Sequence, residues 1–486
     1  MDVAAENEQL KVELAARDAE LAARDAELEV QGAKLTDLEG QVAKLTELVL
    51  ELRARLESDS SNSNKPPSSD PPGKGAKKSK GKKRKRRRGG QKGHRGSHRE
   101  LLPPELVDEF VDLFPAECES CWEALPRIPD LFPKQYQQIE LKPVAVHTTE
   151  WRRHAVECPC CGYKTRAVYD SDVIPRHAFG PRLMAAVAML TGVYHLSRRQ
   201  TVGLLWDLLH VRMSLGSVST IEKSVSDAVE PAAAEALESA RAAPIKHADG
   251  TSWVRAGAMF SLWVLATTAV TVFMVLPNGQ KETLRDRFFG RVIGILVSDR
   301  ATALKFWVMK HRQVCWAHLV RKFRSFSERD GPAGAIGQEL LDYTGLIFDY
   351  WSRFRRGELT RETLIERMAP VRPQVEALLL RGQNAKIRGL SGSCKDMLEH
   401  REALWTFLET AGVEPTNNHA ERELRDLVLW RRRSFGTQSE RGDLFAARMM
   451  TIAHTARKQG RDILAFLTAC CTPRPRGAAT PSLLAA

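Results

Sequence analysis

No run of about 18 uncharged apolar residues occurs anywhere in the 486-residue chain, which excludes a membrane-spanning helix of the usual kind. The N-terminus also lacks the basic and then apolar pattern of a signal peptide: Asp2, Glu6 and Glu8 stand where bases would be. A soluble, cytoplasmic protein is expected. Acidic residues are missing altogether from 74 to 99, where 14 Lys and Arg gather. Of the 73 Lys and Arg in the chain, the 59 outside that segment are balanced by 60 acids, so the net charge of +13 belongs to one arm. Such concentration suits a polyanion and points to nucleic acid. Nine cysteines, four of them in two close Cys-x-x-Cys pairs, suit metal binding in a reducing compartment better than a disulfide framework.

What is present divides the chain into several units. Apolar residues recur every seven positions at Leu14, Leu21, Leu28, Leu35, Val42, Val49 and Leu56, with Leu10, Leu38, Leu45 and Leu52 on a second seam. This pattern predicts a coiled coil over 6–57 and self-association through it. The repeat Ala-Ala-Arg-Asp-Ala-Glu-Leu at 15–21 and 22–28 puts Arg17 and Arg24 on that seam, where they weaken pairing or fix its register. Residues 58–100 turn to Ser, Asn, Pro and Gly and then to bases, and cannot bury enough apolar area to fold alone. They read as a linker ending in a DNA-binding arm with Lys82, Lys83, Arg84, Lys85, Arg86, Arg87, Arg88, Lys92 and Arg95, although such a run also serves as a localisation signal or solubilising tail.

Cys118 and Cys121, then Cys158 and Cys161, suggest a zinc-ribbon-like module over 101–175, in which four thiolates hold Zn²⁺ and the ion supplies folding energy. Cys160 leaves open which thiols of the second knuckle ligate. Apolar spacing of three and four over 176–243 predicts helices, and the break at His210 to Ser214 resembles a helix-turn-helix, a pattern that helical bundles share.

After Pro244 the period changes to two. Ile245 to Asp249, Ala258 to Ala266 and Ala269 to Leu276 read as three antiparallel strands, with Asp249 ending or nearly ending the first. Val292 to Ser298 reads as a strand buried on both faces, with Asp299 at its carboxyl end and a helix after it. Three strands, a crossover and a buried strand, with acids on the first and fourth, are the layout of a ribonuclease H-like core. The two acid-bearing strands are neighbours in that layout. The third acid is expected to be Glu421, in Asn417-Asn418-His419-Ala420-Glu421-Arg422-Glu423-Leu424-Arg425, a helix start with two Asn as potential caps. Arg425 lies one turn on, and Arg432 follows as a further phosphate contact. Asp249, Asp299 and Glu421 together offer the oxygen ligands that Mg²⁺ or Mn²⁺ needs for phosphodiester chemistry. The core is thus predicted in two parts, 244–327 and 413–470, around a helical insertion at 328–412, with a disordered tail at 471–486.

The order of heptads, basic Gly-Gly-Gln-Lys-Gly-His-Arg-Gly at 89–96, cysteine knuckles and acidic core resembles the IS66-type insertion-sequence transposases over about Leu10 to Leu467. Cys315-Trp316-Ala317-His318-Leu319-Val320-Arg321-Lys322-Phe323 is similar to that family's Cys-Trp-Ala-His stretch, and 417–425 to its Asn-Asn-x-x-Glu-Arg helix. The resemblance implies a DDE transposase with Asp249, Asp299 and Glu421 as catalytic acids. It would bind element ends and target DNA on the bacterial nucleoid, with two small accessory proteins as companions. Two departures stand out: Gly250-Thr251 follows Asp249 where many relatives have Glu-Thr, and Arg300-Ala301 follows Asp299 where they often have Gly-Tyr or Gly-Phe. Cys315 and His318 lack further metal ligands nearby in sequence and suggest packing or a DNA-side role. The competing readings are a DNA-binding regulator or inactive remnant, in which Asp249 is dispensable, and a ribonuclease H-like nuclease acting on RNA or hybrids.

Overall fold

The computed structural model describes residues 3–56, 62, 100–142, 144–169, 178–474 and 479–484. The basic arm from Lys82 to Arg95 lies outside the described residues, as does nearly all of the 58–100 linker. Helix α1 (Val3–Leu56) is continuous over 54 residues. Leu14, Leu21, Leu28, Leu35 and Val42 along its seam are each more than half exposed, so its apolar stripe faces solvent in the single chain. No helix among the described residues is long and apolar enough to cross a membrane.

The chain forms two compact units. The smaller comprises Lys77–Val168 and Arg199–Leu215 and carries a short antiparallel hairpin, β1 (Ala155–Glu157) with β2 (Lys164–Arg166). The helical stretch expected after it is four helices: α2 (Pro181–Gly192), α3 (Arg198–Leu209), α4 (Leu215–Ala228) and α5 (Glu230–Ala242). Pro231, in the first turn of α5, suits a fresh helix start because its missing N–H would be unpaired there in any case. The predicted helix-turn-helix break separates α3 from α4, and these helices fall in different units, α3 almost wholly in the smaller and α4 in the larger.

The larger unit is built on a five-stranded mixed sheet in the order β5-β4-β3-β6-β7. Strands β3 (Ile245–Arg255), β4 (Ala258–Ala266) and β5 (Thr271–Leu276) form an antiparallel meander. The two-residue turn Ala256-Gly257 has φ of 47° and 83°, the pair of positive values that matches the twist of the flanking strands. After α6 (Lys281–Thr283) and a single wide turn at Leu284–Phe289, β6 (Ile295–Ser298) enters beside β3 in parallel, pairing His247 with Val297. Gly294, at φ 74°, makes that entry: a Cβ there would lie 2.4 Å from the Pro244 carbonyl oxygen, which accounts for β6 starting later than the apolar run at 292. A third parallel strand, β7 (Arg312–Val314), was not anticipated; among the described residues two 3₁₀ turns, Thr302–Leu304 and Met309–His311, lie between Asp299 and β7 where a helix was expected. The aromatic residues Phe306 and Trp307 pack against Phe289 at this point and lead the chain back toward the sheet.

Strand β3 is also longer than expected, and Asp249 sits in its middle. Beyond His247, where pairing with β6 stops, β4 continues to bond it as far as Arg255. On the opposite edge, Thr437 exchanges hydrogen bonds with Val254 O (3.0 Å) and Ala256 N (2.8 Å).

Helices follow: α7 (Trp316–Ser327), α8 (Pro332–Arg355), α9 (Arg361–Met368), α10 (Val371–Asn384), α11 (Ser391–Glu399), α12 (Thr406–Glu409), α13 (Asn418–Ser434), α14 (Glu440–Lys458) and α15 (Ile463–Cys471). Helices α8 to α12 form a separate apolar cluster joined to the sheet through Val297, Val314 and Trp316. One face of the sheet packs through Trp253, Leu262, Val264 and Phe273 against Ala420, Leu424 and Leu427 of α13 and Ala446, Ala447 and Met450 of α14. The other face packs through Ala248, Trp263, Leu265 and Leu296 against α5 and the Leu284 to Phe289 turn. Residues 479–484, expected in a disordered tail, dock instead: Leu483 is fully buried, its N–H donates to Glu235 Oε2 (3.0 Å), and Ser482 Oγ donates to Glu235 Oε1 (2.6 Å).

Gly250 faces Trp263 across the β3–β4 ladder, and a Cβ at 250 would meet the indole at 2.6 Å. The tryptophan occupies the space that a larger residue at 250 would need. Gly250→Ala is therefore expected to cost about 1–3 kcal/mol through overpacking. Chemical denaturation in a Trp263→Leu background should recover at least half of that cost, whereas strictly additive effects would show that the two residues are not coupled.

Candidate active site

The register between β3 and β6 builds the site. His247 pairs with Val297, and Asp249 and Asp299 each lie two residues further on, so parallel strands carry them abreast on one face. That face is the one α13 covers, since Trp253, in phase with Asp249, packs on it, while Ala248 and Leu296 point to the other. On α13, Ala420, Leu424, Leu427 and Val428 form the buried stripe, and Glu421 sits at its edge with a quarter of its side chain exposed.

Asp249 and Asp299 both remain partly open to solvent, and each accepts one local backbone hydrogen bond at 2.9 Å, from Gly250 N–H and Ala301 N–H respectively. Dense surrounding protein raises the Asp249 carboxyl well above the usual carboxylate range, and the nearby charges of Asp299 and Glu421 raise it further. The Gly250 N–H and Arg321 act in the opposite direction and are outweighed. The Glu421 Oε2 atom accepts from Arg321 Nη2 at 3.0 Å. Arg312, fully buried on β7, donates to the Asp299 carbonyl oxygen (2.9 Å) and to Ser298 Oγ (3.1 Å), and Arg300 pairs with Asp396. The three carboxylates are thus close enough to repel, but their oxygens are not all within 4.8 Å of one another. An excess of acid whose ordinary charged state is disfavoured is a fitting place for a cation with oxygen ligands.

The raised Asp249 carboxyl makes stability depend on pH. Because its folded-state value is raised, its favourable contribution to stability is complete below the ordinary value of 3.8 and is lost as pH rises through the folded value. A divalent cation offsets the charge that then develops, so the increase in Tm on adding Mg²⁺ should grow with pH over that interval. Thermal melts with and without Mg²⁺ at several pH values would measure it, and a gain independent of pH would refute the coupling.

Asn417 was expected to cap α13, but its side chain makes no cap hydrogen bond. It is fully buried and ties the helix start to β3: Nδ2 donates to the Ala248 carbonyl oxygen at 2.8 Å, and Oδ1 lies 3.2 Å from His247 Nδ1. Its backbone N–H donates to Cys315 Sγ at 3.1 Å. Burial lowers His247 to about 4, so the ring is neutral at ordinary pH. One residue thereby links the strand of Asp249, the helix of Glu421 and the start of α7. The i, i+6 spacing of Cys315 and Arg321 gave no sign that both would face Glu421, since that meeting joins residues about 100 apart.

Of the other expected site residues, Arg425 and Arg432 are exposed on α13, whereas their neighbour Arg431 is turned back to Thr251 and Ser252 of β3. The cysteine knuckles share one backbone plan. Cys118 N–H donates to Glu123 O and Trp122 N–H to Cys118 O; Cys158 N–H donates to Tyr163 O and Gly162 N–H to Cys158 O, all at 2.9 Å. Trp122 and Gly162 have positive φ at equivalent positions. Backbone N–H groups of Cys121 and Ser120 lower the Cys118 thiol, and those of Cys161 and Cys160 lower Cys158. The knuckles are formed separately: among the described residues, no three of the four sulfurs lie within 4.8 Å of one another.

A family model described as "Transposase IS66 family" matches residues 176–443, which contain the sheet, helices α2 to α13 and all three carboxylates. A second, described as a family of unknown function, DUF6444, matches residues 14–100. No curated protein matches the chain.

Proposed function

Because the chain belongs to the IS66 family of transposases, which act on DNA, we propose that it cuts and joins DNA at a divalent-metal site formed by Asp249, Asp299 and Glu421. The observation that supports this most is the β3–β6 register, which sets two carboxylates abreast beneath the helix bearing the third. The strand order, an antiparallel meander followed by two strands parallel to its first, supports a ribonuclease H-like reading of the core. Mg²⁺ or Mn²⁺ suits the oxygen donors; when bound, it supplies activation of a nucleophile and stabilisation of the leaving oxygen. Asp249 and Asp299 hold the ion from the sheet, and Glu421 completes the set from α13. Asn417 positions that helix against β3, and Arg321 holds one oxygen of Glu421.

Around this centre, exposed Arg425 and Arg432 contact phosphates, and the bases from Lys82 to Arg95 supply salt-dependent affinity. The α1 stripe pairs with that of a second copy as a coiled coil, bringing two active sites to two DNA ends. Cys118, Cys121, Cys158 and Cys161 hold a structural Zn²⁺, for which their preformed knuckles and lowered thiols are suited. The test is Mg²⁺-dependent cleavage of DNA carrying the element's own ends, with Asp299→Asn as the comparison and binding measured separately. Loss of cutting with binding retained is expected. A native protein that binds but never cuts, even with the neighbouring gene products added, would overturn the catalytic reading.

A further inference from the structure

Two buried polar atoms beside the carboxylates have no hydrogen-bond partner among the described residues: His318 Nδ1 and Glu421 Oε1. They face each other 3.4 Å apart, and Cys315 Sγ completes a trio whose ligand atoms all lie within 4.8 Å of one another. Cys315 precedes the first turn of α7 and His318 lies in that turn, so helical spacing directs both toward the start of α13. Arg321 holds the other oxygen of Glu421, leaving Oε1 turned to the histidine. We infer that Cys315, His318 and Glu421 form a second metal site, selective for a thiolate-seeking ion of the zinc class, which withholds Glu421 from the Mg²⁺ site when it is filled.

The donor chemistry separates the two ions. Sulfur and imidazole nitrogen favour Zn²⁺, whereas Mg²⁺ prefers oxygen and dehydrates reluctantly. Without an ion the Cys315 thiol is pushed up to about 12 by burial, and a bound cation reverses this by taking the thiolate while the proton leaves to solvent. The N–H groups of Asn417, Ala317 and His318 already point at that sulfur and favour its charged form. Three protein ligands leave a fourth position for water, the open coordination that distinguishes catalytic zinc sites from closed structural ones. Near His318, Arg321 and Arg300 are like charges to a cation, and Asp299 and Glu421 are opposite ones. The effect on cutting rests on Glu421 being the third catalytic carboxylate; the binding itself does not.

The full-length protein, stripped of metal, is titrated with Co²⁺ while the thiolate-to-cobalt absorption is followed, and its Zn²⁺ equivalents are counted by competition with a coloured chelator. Cys315→Ser, which keeps an acceptor for the Asn417 N–H, and His318→Gln should each bind one equivalent fewer than the native chain. In a Cys158→Ser, Cys161→Ser background the cobalt–thiolate band should persist and then vanish on adding Cys315→Ser. Equal counts in the native chain and both single variants would overturn the site. For regulation, Zn²⁺ added at constant Mg²⁺ should slow native cutting by at least about tenfold and slow Cys315→Ser cutting much less; equal sensitivity would overturn that role. A native chain that binds DNA but never cuts it under Mg²⁺ without Zn²⁺, even with the neighbouring gene products added, refutes the catalytic reading and leaves the metal count to decide the site.

Discussion

Asp249→Asn is expected to raise the Tm of the metal-free protein while reducing DNA cutting by about 1000-fold or more. The two effects share one cause. Asp249 is surrounded by protein and faces Asp299 and Glu421, so at neutral pH its charge, or the proton needed to cancel it, counts against the folded state. Asparagine has the same shape, keeps an oxygen to accept the Gly250 N–H, and removes the ionisable group. It also removes the anionic oxygen that a hard cation requires, and losing several kcal/mol of metal-borne stabilisation is worth roughly three decades of rate. Melting curves without metal and a strand-cutting assay on the same preparation decide the matter. A variant that melts lower and still cuts would refute both the electrostatic strain and the catalytic assignment.

Asn417→Ala should have the next largest effect. It deletes the donor to the Ala248 carbonyl oxygen and the partner of His247 Nδ1, leaving both buried and unpaired, at a cost of about 2–4 kcal/mol. These contacts also fix where α13 begins relative to β3, four residues before Glu421 and one residue before Asp249. A small displacement of a ligand-bearing helix is enough to cost about 100-fold in rate. Asn417→Asp keeps an acceptor for His247 but loses the donor to Ala248, so its stability should fall between the two. Unaltered cutting by a stable Asn417→Ala protein would show that the link has no positioning role. A variant that loses DNA binding along with cutting would point to general damage, which circular dichroism would reveal.

The sequence carried the local grammar of the site well. Alternation and turn residues marked the meander, and a run of β-branched residues marked the strand before Asp299. The helix of Glu421 was also legible, from the Asn residues at its start, although Asn417 serves there as a tie to β3 and makes no cap hydrogen bond. Legibility ended where a boundary depended on a distant partner. Strand β3 runs to Arg255 because β4 and Thr437 bond it there, and no local pattern announces Thr437. Strand β7 has only three residues, too few for a period, and exists because β6 offers it an edge. Leu483 resembles any apolar residue in a tail until Glu235 receives its N–H.

The sequence by itself determined which residue types are available for chemistry, which segments alternate or turn, and where charge concentrates, because these follow from side-chain identity and periods of two, 3.6 and seven. Only the tertiary structure decided that Asp249 and Asp299 stand abreast, that Asn417 is a tie between strand and helix, and that Cys315, His318 and Arg321 converge on Glu421. Each of these is a meeting of residues from 50 to 170 positions apart. Such meetings depend on strand register and helix packing, which the burial of the whole core selects and no local spacing encodes.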